Sequence, residues 1–373
     1  MQKTTHETLL YTIALSLIPK LGPYAFKNII SYCGSAANFF TMPKGKAAKI
    51  PGIGSKLLAI RNQKDTYLKK AENVLEDCIK HQITVHSYLD HSYPKRLKSF
   101  MDAPVLLFTK GHIDLNPKRS IGIVGTRNAS DYGKNITRKI VEGLAPFQPT
   151  VISGLAYGID ITSHRAALEF ELPTVAVLGN SLESLYPAAH RNTAENMAEK
   201  GGLVSEYPVG TAMHPLNFPA RNRIIAALSD ALIVVEAAKK GGALITAEIA
   251  YSYNREVFAV PGNLQNTYSE GCNNLIRSMK ANIYTGPRDI QEALSWSTDE
   301  ENTPTAKNNT LTLDQFSDQE QRLLRILLEK SPLEIDQLSW QSQLPVSQVA
   351  SILLSLEFQG VVKALPGKKY QLA

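Results

Sequence analysis

Apolar residues recur at helical spacing in Leu9-Leu10-Tyr11-Thr12-Ile13-Ala14-Leu15 and again in Phe26-Lys27-Asn28-Ile29-Ile30, which predicts short helices across residues 7–80. Two turn-like segments interrupt them, Ile18–Pro23 and Ile50–Lys56. The second reads Ile-Pro-Gly-Ile-Gly-Ser-Lys, the hydrophobic-Pro-Gly-hydrophobic-Gly form of a helix-hairpin-helix turn. Such a turn opens a helix with free backbone amides suited to a phosphate oxygen; a tight interhelical turn used only for packing has the same form.

From about residue 82 the period changes. Ile83–His86 and Val105–Phe108 read as strands. They are followed by short apolar runs at Ile121–Val124, Thr150–Ile152, Thr174–Leu178, Leu203–Ser205, Ala231–Val235 and Glu256–Val260. Unbroken apolar runs of this length fit parallel strands buried on both faces. Helical patterns lie between them, as in Tyr132–Leu144, Ile161–Phe170 and Ala243–Tyr253. The alternation predicts a doubly wound α/β sheet, an extended Rossmann-like core over 82–296. Ser297–Asn309 is polar and poor in apolar residues, so 297–315 reads as a linker. Beyond it, helices at Asp318–Leu328 (capped by Ser317), Leu333–Leu338 and Ser347–Gln359 precede strands at Gly360–Ala364 and Lys369–Leu372 around a Pro-Gly turn. Three helices and a β-hairpin make 316–373 a winged helix.

Composition narrows the function classes. The 373 residues are 43% hydrophobic, and no run approaches the roughly 20 apolar residues of a membrane span. The N-terminus lacks the apolar core of a signal peptide. Cys33, Cys78 and Cys272 are few and far apart, against a disulfide framework or Cys-rich zinc site, and a reducing cytoplasm fits them. The net charge of +6 is unevenly spread: residues 1–100 hold 15 Lys/Arg against 6 Asp/Glu, 101–300 hold 18 against 20, and 316–373 hold 6 of each. The basic surplus lies in the first hundred residues, where it fits either a polyanion partner or a solvated face.

Four segments carry candidate chemistry. Gly122–Gly133 joins a strand to a helix through Gly125-Thr126-Arg127, offering amides and a guanidinium fork to an anion. Ser153–Asp160 makes a second strand-to-helix turn, with Asp160 read as the cap of the helix that follows and His164 as a packing residue. Asn217-Phe218-Pro219-Ala220-Arg221-Asn222-Arg223 sets two arginines around an aromatic; Phe218 is either core or a platform for an unpaired base. Lys240-Gly241-Gly242 precedes a helix with Thr246 in its first turns, a further nest for phosphate oxygens. Three of these turns follow strands, and the C-terminal ends of parallel strands share one edge, where ligands bind. The chain has no Gly-x-x-x-x-Gly-Lys-Ser/Thr, no strict Gly-x-Gly-x-x-Gly and no metal-spaced histidines, so neither a P-loop ATPase nor ordinary dinucleotide binding is supported.

The chain resembles the DNA-processing protein A (DprA, or Smf) family. The matching elements run in order. They begin with Tyr93-Pro94-Lys95-Arg96-Leu97 with Pro104–Phe108, Gly125-Thr126-Arg127 with Tyr132-Gly133, Ser153–Asp160, and Ala176–Gly179 with Tyr186-Pro187. Ser205–Pro208, Phe218–Ile225, Val234–Ala237, Leu244–Ala247, Val257–Gly262 and Gly271–Ile276 complete the set. The resemblance implies a cytoplasmic, homodimeric, non-enzymatic protein that binds single-stranded DNA, protects incoming strands during natural transformation and loads the RecA recombinase. It also implies a sterile-alpha-motif-like N-terminal domain over 1–80. The DNA-binding residues expected are Gly125, Thr126, Arg127, Ser130, Gly154, Gly158, Arg191, Phe218, Arg221, Asn222, Arg223, Lys240, Gly241 and Thr246, with no catalytic residue, metal or cofactor. The chain departs from the family pattern at Asn180–Glu183, at Met213–Asn217 and at Gly242-Ala243. The neutral winged helix favours a protein contact over duplex DNA. The alternative reading is a nucleotide-hydrolysing enzyme of the lysine-decarboxylase-like phosphoribohydrolase type, with Lys240–Glu248 as a loose echo of its Gly-rich run leading to a catalytic Glu.

Overall fold

The computed structural model describes residues 6–297, 316–329, 331–359, 361–365 and 369–372. Residues 298–315, most of the expected linker, and the Pro366-Gly367 turn lie outside them. Residues 1–298 form one compact unit and 299–373 a second.

The chain begins with six helices, α1 (His6–Ser16), α2 (Pro23–Cys33), α3 (Ala36–Thr41), α4 (Lys44–Ala47), α5 (Ser55–Ile60) and α6 (Lys64–Lys80). The local chemistry explains several of their ends. Pro23 opens α2, Gly34 closes it in the left-handed region at φ 78°, and Ser35 caps α3 by accepting the Asn38 amide. This is the punctuation expected of Pro, Gly and Ser at helix termini. Their apolar faces do not close on themselves. Phe26, Ile29, Ile30 and Phe39 share one buried cluster with Leu106, Phe108, Leu178 and Leu203 of the sheet, and the Lys27 Nζ donates to the Phe100 and Met101 carbonyls at 3.0 and 3.1 Å. The N-terminal helices and the α/β region therefore form a single compact unit.

The sheet has nine strands: β1 (Thr84–Ser87), β2 (Leu106–Gly111), β3 (Ser120–Val124), β4 (Thr150–Ser153), β5 (Thr174–Leu178), β6 (Gly202–Ser205), β7 (Ala231–Val234), β8 (Glu256–Ala259) and β9 (Asn282–Ile283). Their spatial order is β1-β2-β6-β5-β4-β3-β7-β8-β9. The strands from β3 to β9 pair in parallel, whereas β2 runs antiparallel to β6 and β1 antiparallel to β2. The central strand β3 is the first of the parallel set; its successors pile up on one side and then, from β7, on the other. That reversal is the topological switch at which open α/β sheets bind ligands.

The two-residue period of each strand sorts its side chains into two layers. Val175, Val177, Leu232 and Val234 face a cluster shared with helices α11 (Asn217–Leu228) and α12 (Gly242–Ser252). On the other face, Ile121, Ile123, Ala231 and Ile233 pack with α8 (Asp131–Leu144) and α9 (Ile159–Glu169), while Ala176 and Leu178 meet the N-terminal helices. Helices α7 (Lys95–Lys98), α10 (Arg191–Met197), α13 (Glu270–Arg277) and α14 (Pro287–Leu294) complete this unit. Strand β9 and helices α7, α10, α11, α13 and α14 go beyond the sequence expectation: β9, α7, α10, α13 and α14 are short, and α11, buried along most of its length, has little amphipathic period.

The second unit has α15 (Asp318–Glu329), β10 (Leu333–Glu334), α16 (Ile335–Ser342), α17 (Val346–Phe358), β11 (Val362–Leu365) and β12 (Lys369–Leu372), with sheet order β10-β12-β11. This is a winged helix around its own core of Leu323, Leu324, Leu327, Leu338, Val349, Leu353 and Leu356. Ser317 caps α15 in exchange with Glu320. The expected helix at Leu333–Leu338 starts two residues late because Leu333 and Glu334 pair with Tyr370 and Lys369.

Candidate nucleic-acid interface

The C-terminal ends of β3 and β7 open into a cleft of about 1090 Å³. Gly125, Thr126, Arg127, Phe218, Arg221, Asn222, Lys240, Gly241 and Thr246 all line it. Nine of the fourteen sequence-derived residues thus converge, though not all in the expected role.

The floor is the β3–α8 turn. The Thr126 amide donates to the Glu236 carbonyl at 2.7 Å and the Val235 amide to the Val124 carbonyl at 3.1 Å, so the turn is laced to the end of β7. A side chain at Gly125 would meet Ile159 at 2.4 Å; glycine here lets α9 pass beneath. Arg127, two residues on, is exposed at the cleft wall. Opposite, Lys240 and Gly241 are also exposed, and a Cβ on Gly241 would meet open space. Helix α12 starts at Gly242, and the residues of its first turn, Gly242 to Ile245, line the cleft; a helix start favours an anion through its dipole. Asn222 Nδ2 and Thr246 Oγ1 both donate to the Gly242 carbonyl, at 3.2 and 3.0 Å. They hold this turn in shape.

The remaining wall is aromatic. Phe218 is half-buried against Gly179, whose Cβ would lie 2.9 Å from its ring. Tyr186 stands beside it, with ring centroids 5.7 Å apart and planes at 59°. Tyr186 and Met213 are 47% and 45% exposed, and Tyr268 also lines the cleft. These three were not among the expected residues, although Tyr186 lies in the Tyr-Pro pair noted in the sequence. An α/β loop reveals no direction in its spacing, so nothing local marks such a residue as facing the site.

Five expected residues are not placed in this cleft. Arg223 donates to Glu206 in a largely buried pair with side chains 17% and 14% exposed. Along a helix, 218, 222 and 225 share a face and 223 points elsewhere. Ser130 is consumed by the protein itself: its amide and hydroxyl both donate to the Glu236 carboxylate, at 2.9 and 2.5 Å, while its Oγ accepts the Gly133 amide. A buried carboxylate thus fills the anion position at the start of α8. Gly154 and Gly158 are packing glycines. A Cβ at Gly154 would strike the Arg221 guanidinium at 2.5 Å, and Gly158, at φ +77°, would strike the Thr126 carbonyl at 2.2 Å. Arg191 is exposed at the first residue of α10, outside the cleft lining.

Arg221 lines the cleft but is 5% exposed, and its guanidinium donates to the carbonyls of Gly154 and Val177. It ties together the ends of β4 and β5. Asp160 is buried near it; burial holds its carboxyl above the usual range, opposed by the Arg221 charge. Asp160 is the second residue of α9 and Gly158 is the cap position, so the expected Asp160 cap is not formed. His164 is fully buried with Nδ1 2.7 Å from Thr174 Oγ1, and burial lowers its pKa to about 3. Among the described residues, the cations of the cleft lining without a side-chain partner are Arg127 and Lys240, while Lys239 pairs with Glu270 at 3.7 Å. Among the described residues no group of three or more His, Cys, Asp or Glu side chains is placed to hold a metal ion.

Residues 84–295 match the family model for DNA recombination-mediator protein A, and residues 303–368 match that of the DprA winged helix domain. Protein Smf of Synechocystis is 32% identical, with 97% of this chain and 98% of that protein aligned. DNA processing protein DprA of Streptococcus pneumoniae is 40% identical over 204 residues, covering 55% of this chain and 72% of that one. Its X-ray structure superposes with a TM-score of 0.66 at 31% identity, over 80% of this chain and 99% of that chain. A Helicobacter pylori DNA processing protein A structure, described for its single-stranded DNA binding mode, gives a TM-score of 0.53 at 27% identity over 58% and 98%. With its α/β core and its winged helix both matched, and a relative aligned from end to end, the chain belongs to the DNA-processing protein A (DprA/Smf) family.

Proposed function

We propose that the cleft at the β3/β7 switch point binds single-stranded DNA without cutting it, and that the chain hands the strand to RecA recombinase during uptake of DNA. The observation that carries the reading is the pairing, across one cleft, of exposed cations and open helix amides with an aromatic wall. Arg127, Lys240 and the Gly241–Gly242 turn suit phosphates, and Phe218 with Tyr186 suits unpaired bases. Stacking on such a wall contributes roughly 1–3 kcal/mol per base and accepts any sequence. The H. pylori relative's single-strand binding mode supports the same assignment. Homodimerisation and a cytoplasmic location belong to the same proposal; no helix among the described residues is long and apolar enough to cross a membrane.

The enzyme alternative draws no support from the cleft. Its candidate carboxylate, Glu248, is held by Lys280 at 2.7 and 2.8 Å, and Asp160 is buried beside a cation.

The test is a titration of the full chain with a dT oligomer and its duplex counterpart at two salt concentrations. Arg127→Glu is expected to weaken single-strand binding at least about tenfold, at one lost phosphate contact plus one introduced repulsion. The far-UV circular dichroism should be unchanged. Equal affinity for duplex and single strand, or an Arg127→Glu protein that binds as the wild type does, would refute the reading.

A further inference from the structure

Between Glu7 and Asp65 the sequence contains no acidic residue, while Lys20, Lys27, Lys44, Lys46, Lys49, Lys56, Arg61 and Lys64 fall inside that stretch. Some of this charge has internal work. Arg61 is buried and donates to the Met42 carbonyl, Lys27 ties α2 to the Phe100 region, and Lys64 lies over the Tyr11 ring. Lys44, Lys46 and Lys49 have none: all three are exposed, and among the described residues no hydrogen bond or ion pair engages their side chains.

These three lysines stand on a built hairpin. Ala47 and Ile50 are 0% and 5% exposed and anchor it from below. The chain is closed by Ala48 to Lys44, Lys49 to Lys46 and Ile53 to Ile50 backbone bonds. The outward side carries the lysines, Pro51 and three glycines, all exposed. A Cβ on Gly45, Gly52 or Gly54 would meet nothing within 4 Å. Packing therefore does not require glycine at these positions. Only Gly52, at φ +84°, is explained by its backbone conformation. The result is bare, accessible backbone set among unpaired lysines.

We infer that this hairpin, Lys44 to Gly54, is a second DNA contact, one that takes the sugar-phosphate backbone outside the core cleft. The identity of the polyanion rests on the proposed reading of the cleft; the existence of the cationic surface does not. DNA fits better than an acidic protein surface. Protein interfaces are depleted in lysine and are centred on aromatic or arginine anchors, and residues 44–54 contain no aromatic residue and no arginine. Lysines around bare backbone supply what a phosphodiester chain requires: point charges that displace counterions, and close approach.

The experiment compares two full-length charge reversals. One carries Lys44→Glu, Lys46→Glu and Lys49→Glu. The other, matched in charge, carries Lys69→Glu, Lys70→Glu and Lys80→Glu on α6. Each is titrated with dT oligomers of about 6 and about 40 nucleotides, below and well above the span of one binding site. For the hairpin variant the long oligomer should bind at least about tenfold more weakly at 0.1 M salt, with the slope of log K on log salt reduced by about 2. The short oligomer should bind as before. Arg127→Glu, by contrast, weakens both. An unchanged long-oligomer affinity and slope overturns the inference and leaves an acidic protein as the partner of the patch. A matching loss in the α6 variant, or an equal loss on the short oligomer, overturns it too. Should Arg127→Glu have no effect while the hairpin variant loses the long oligomer, the cleft reading fails and the hairpin contact stands. A Lys→Gln set at the same three positions, expected to lose less, separates lost charge from a damaged fold.

Discussion

Two arginines of this chain look alike in sequence and do opposite things. Arg127 is exposed at the cleft wall, whereas Arg221 is 5% exposed and spans two strand ends through the Gly154 and Val177 carbonyls. Charge reversal at Arg127 tests binding. At Arg221 it would place a carboxylate where carbonyls already converge, so unfolding rather than weaker binding is the expected outcome. The same buried layer holds His164, whose pKa is lowered to about 3 by burial, with the Arg221 and His190 charges acting in the same direction. Above pH 6.5 the ring is neutral in both states and has no effect. Below it the unfolded chain takes up a proton that the folded chain refuses until about pH 3. Stability therefore falls as pH drops through that window, by up to about 1.4 kcal/mol per pH unit from this group. His164→Gln, which keeps a partner for Thr174, should flatten the slope in urea melts between pH 7 and pH 5. An unaltered slope would place the acid sensitivity elsewhere.

At the scale of the element, the start of α8 shows how a motif mislays its ligand. Gly-Thr-Arg before a helix reads as an anion site, and an anion is there: the Glu236 carboxylate from the end of β7, held by the Ser130 amide and hydroxyl. A Cβ on Gly133 would lie 2.2 Å from that carboxylate, which accounts for glycine inside the helix. Ser130→Ala removes the cap and leaves Glu236 short of a donor. A loss of about 1–2 kcal/mol is expected, with dT affinity within about twofold of the wild type because no phosphate contact is removed. Thermal melts and anisotropy together check this; a large loss of affinity at unchanged stability would return Ser130 to the DNA site. Helix α11 teaches a related lesson. The motif Asn217–Arg223 was legible, but helical rotation, not proximity in sequence, sends Phe218 and Asn222 to the cleft and Arg223 to Glu206. Helix α12 divides likewise: Gly241 stays open while Thr246 turns back onto Gly242.

For the molecule as a whole, the decisive feature is that the N-terminal helices bury their apolar face on the sheet. Phe26, Ile29 and Phe39 lie in one cluster with Leu106, Phe108 and Leu178. Deleting residues 1–82 would expose those strand residues, at about 2 kcal/mol for each large side chain uncovered. The truncated protein should aggregate or melt well below the full chain, as read by solubility and calorimetry. A soluble fragment with an unchanged midpoint would show the two layers to be independent. The same scale decides where charge acts. The cleft lies in the region without basic surplus and works through Arg127, Lys240 and backbone amides, while the surplus sits on helices before the sheet.

Much of this was settled by the sequence alone, because its causes are local. Periods of 3.6 and 2, the turn residues and the caps depend on neighbours within a few positions. The periodic helices α8, α9 and α12, eight of the nine strands of the large sheet, the winged helix and the Gly125, Phe218 and Gly241 segments could thus be read from the chain. Tertiary structure decided what each polar group faces. Whether an arginine meets solvent or a carbonyl, whether a helix start holds a ligand or Glu236, and whether a glycine clears space for a neighbour or for nothing at all depend on groups tens of residues away. That is why Arg127 and Arg221, and Gly154 and Gly241, could be told apart only once the strands had been brought side by side.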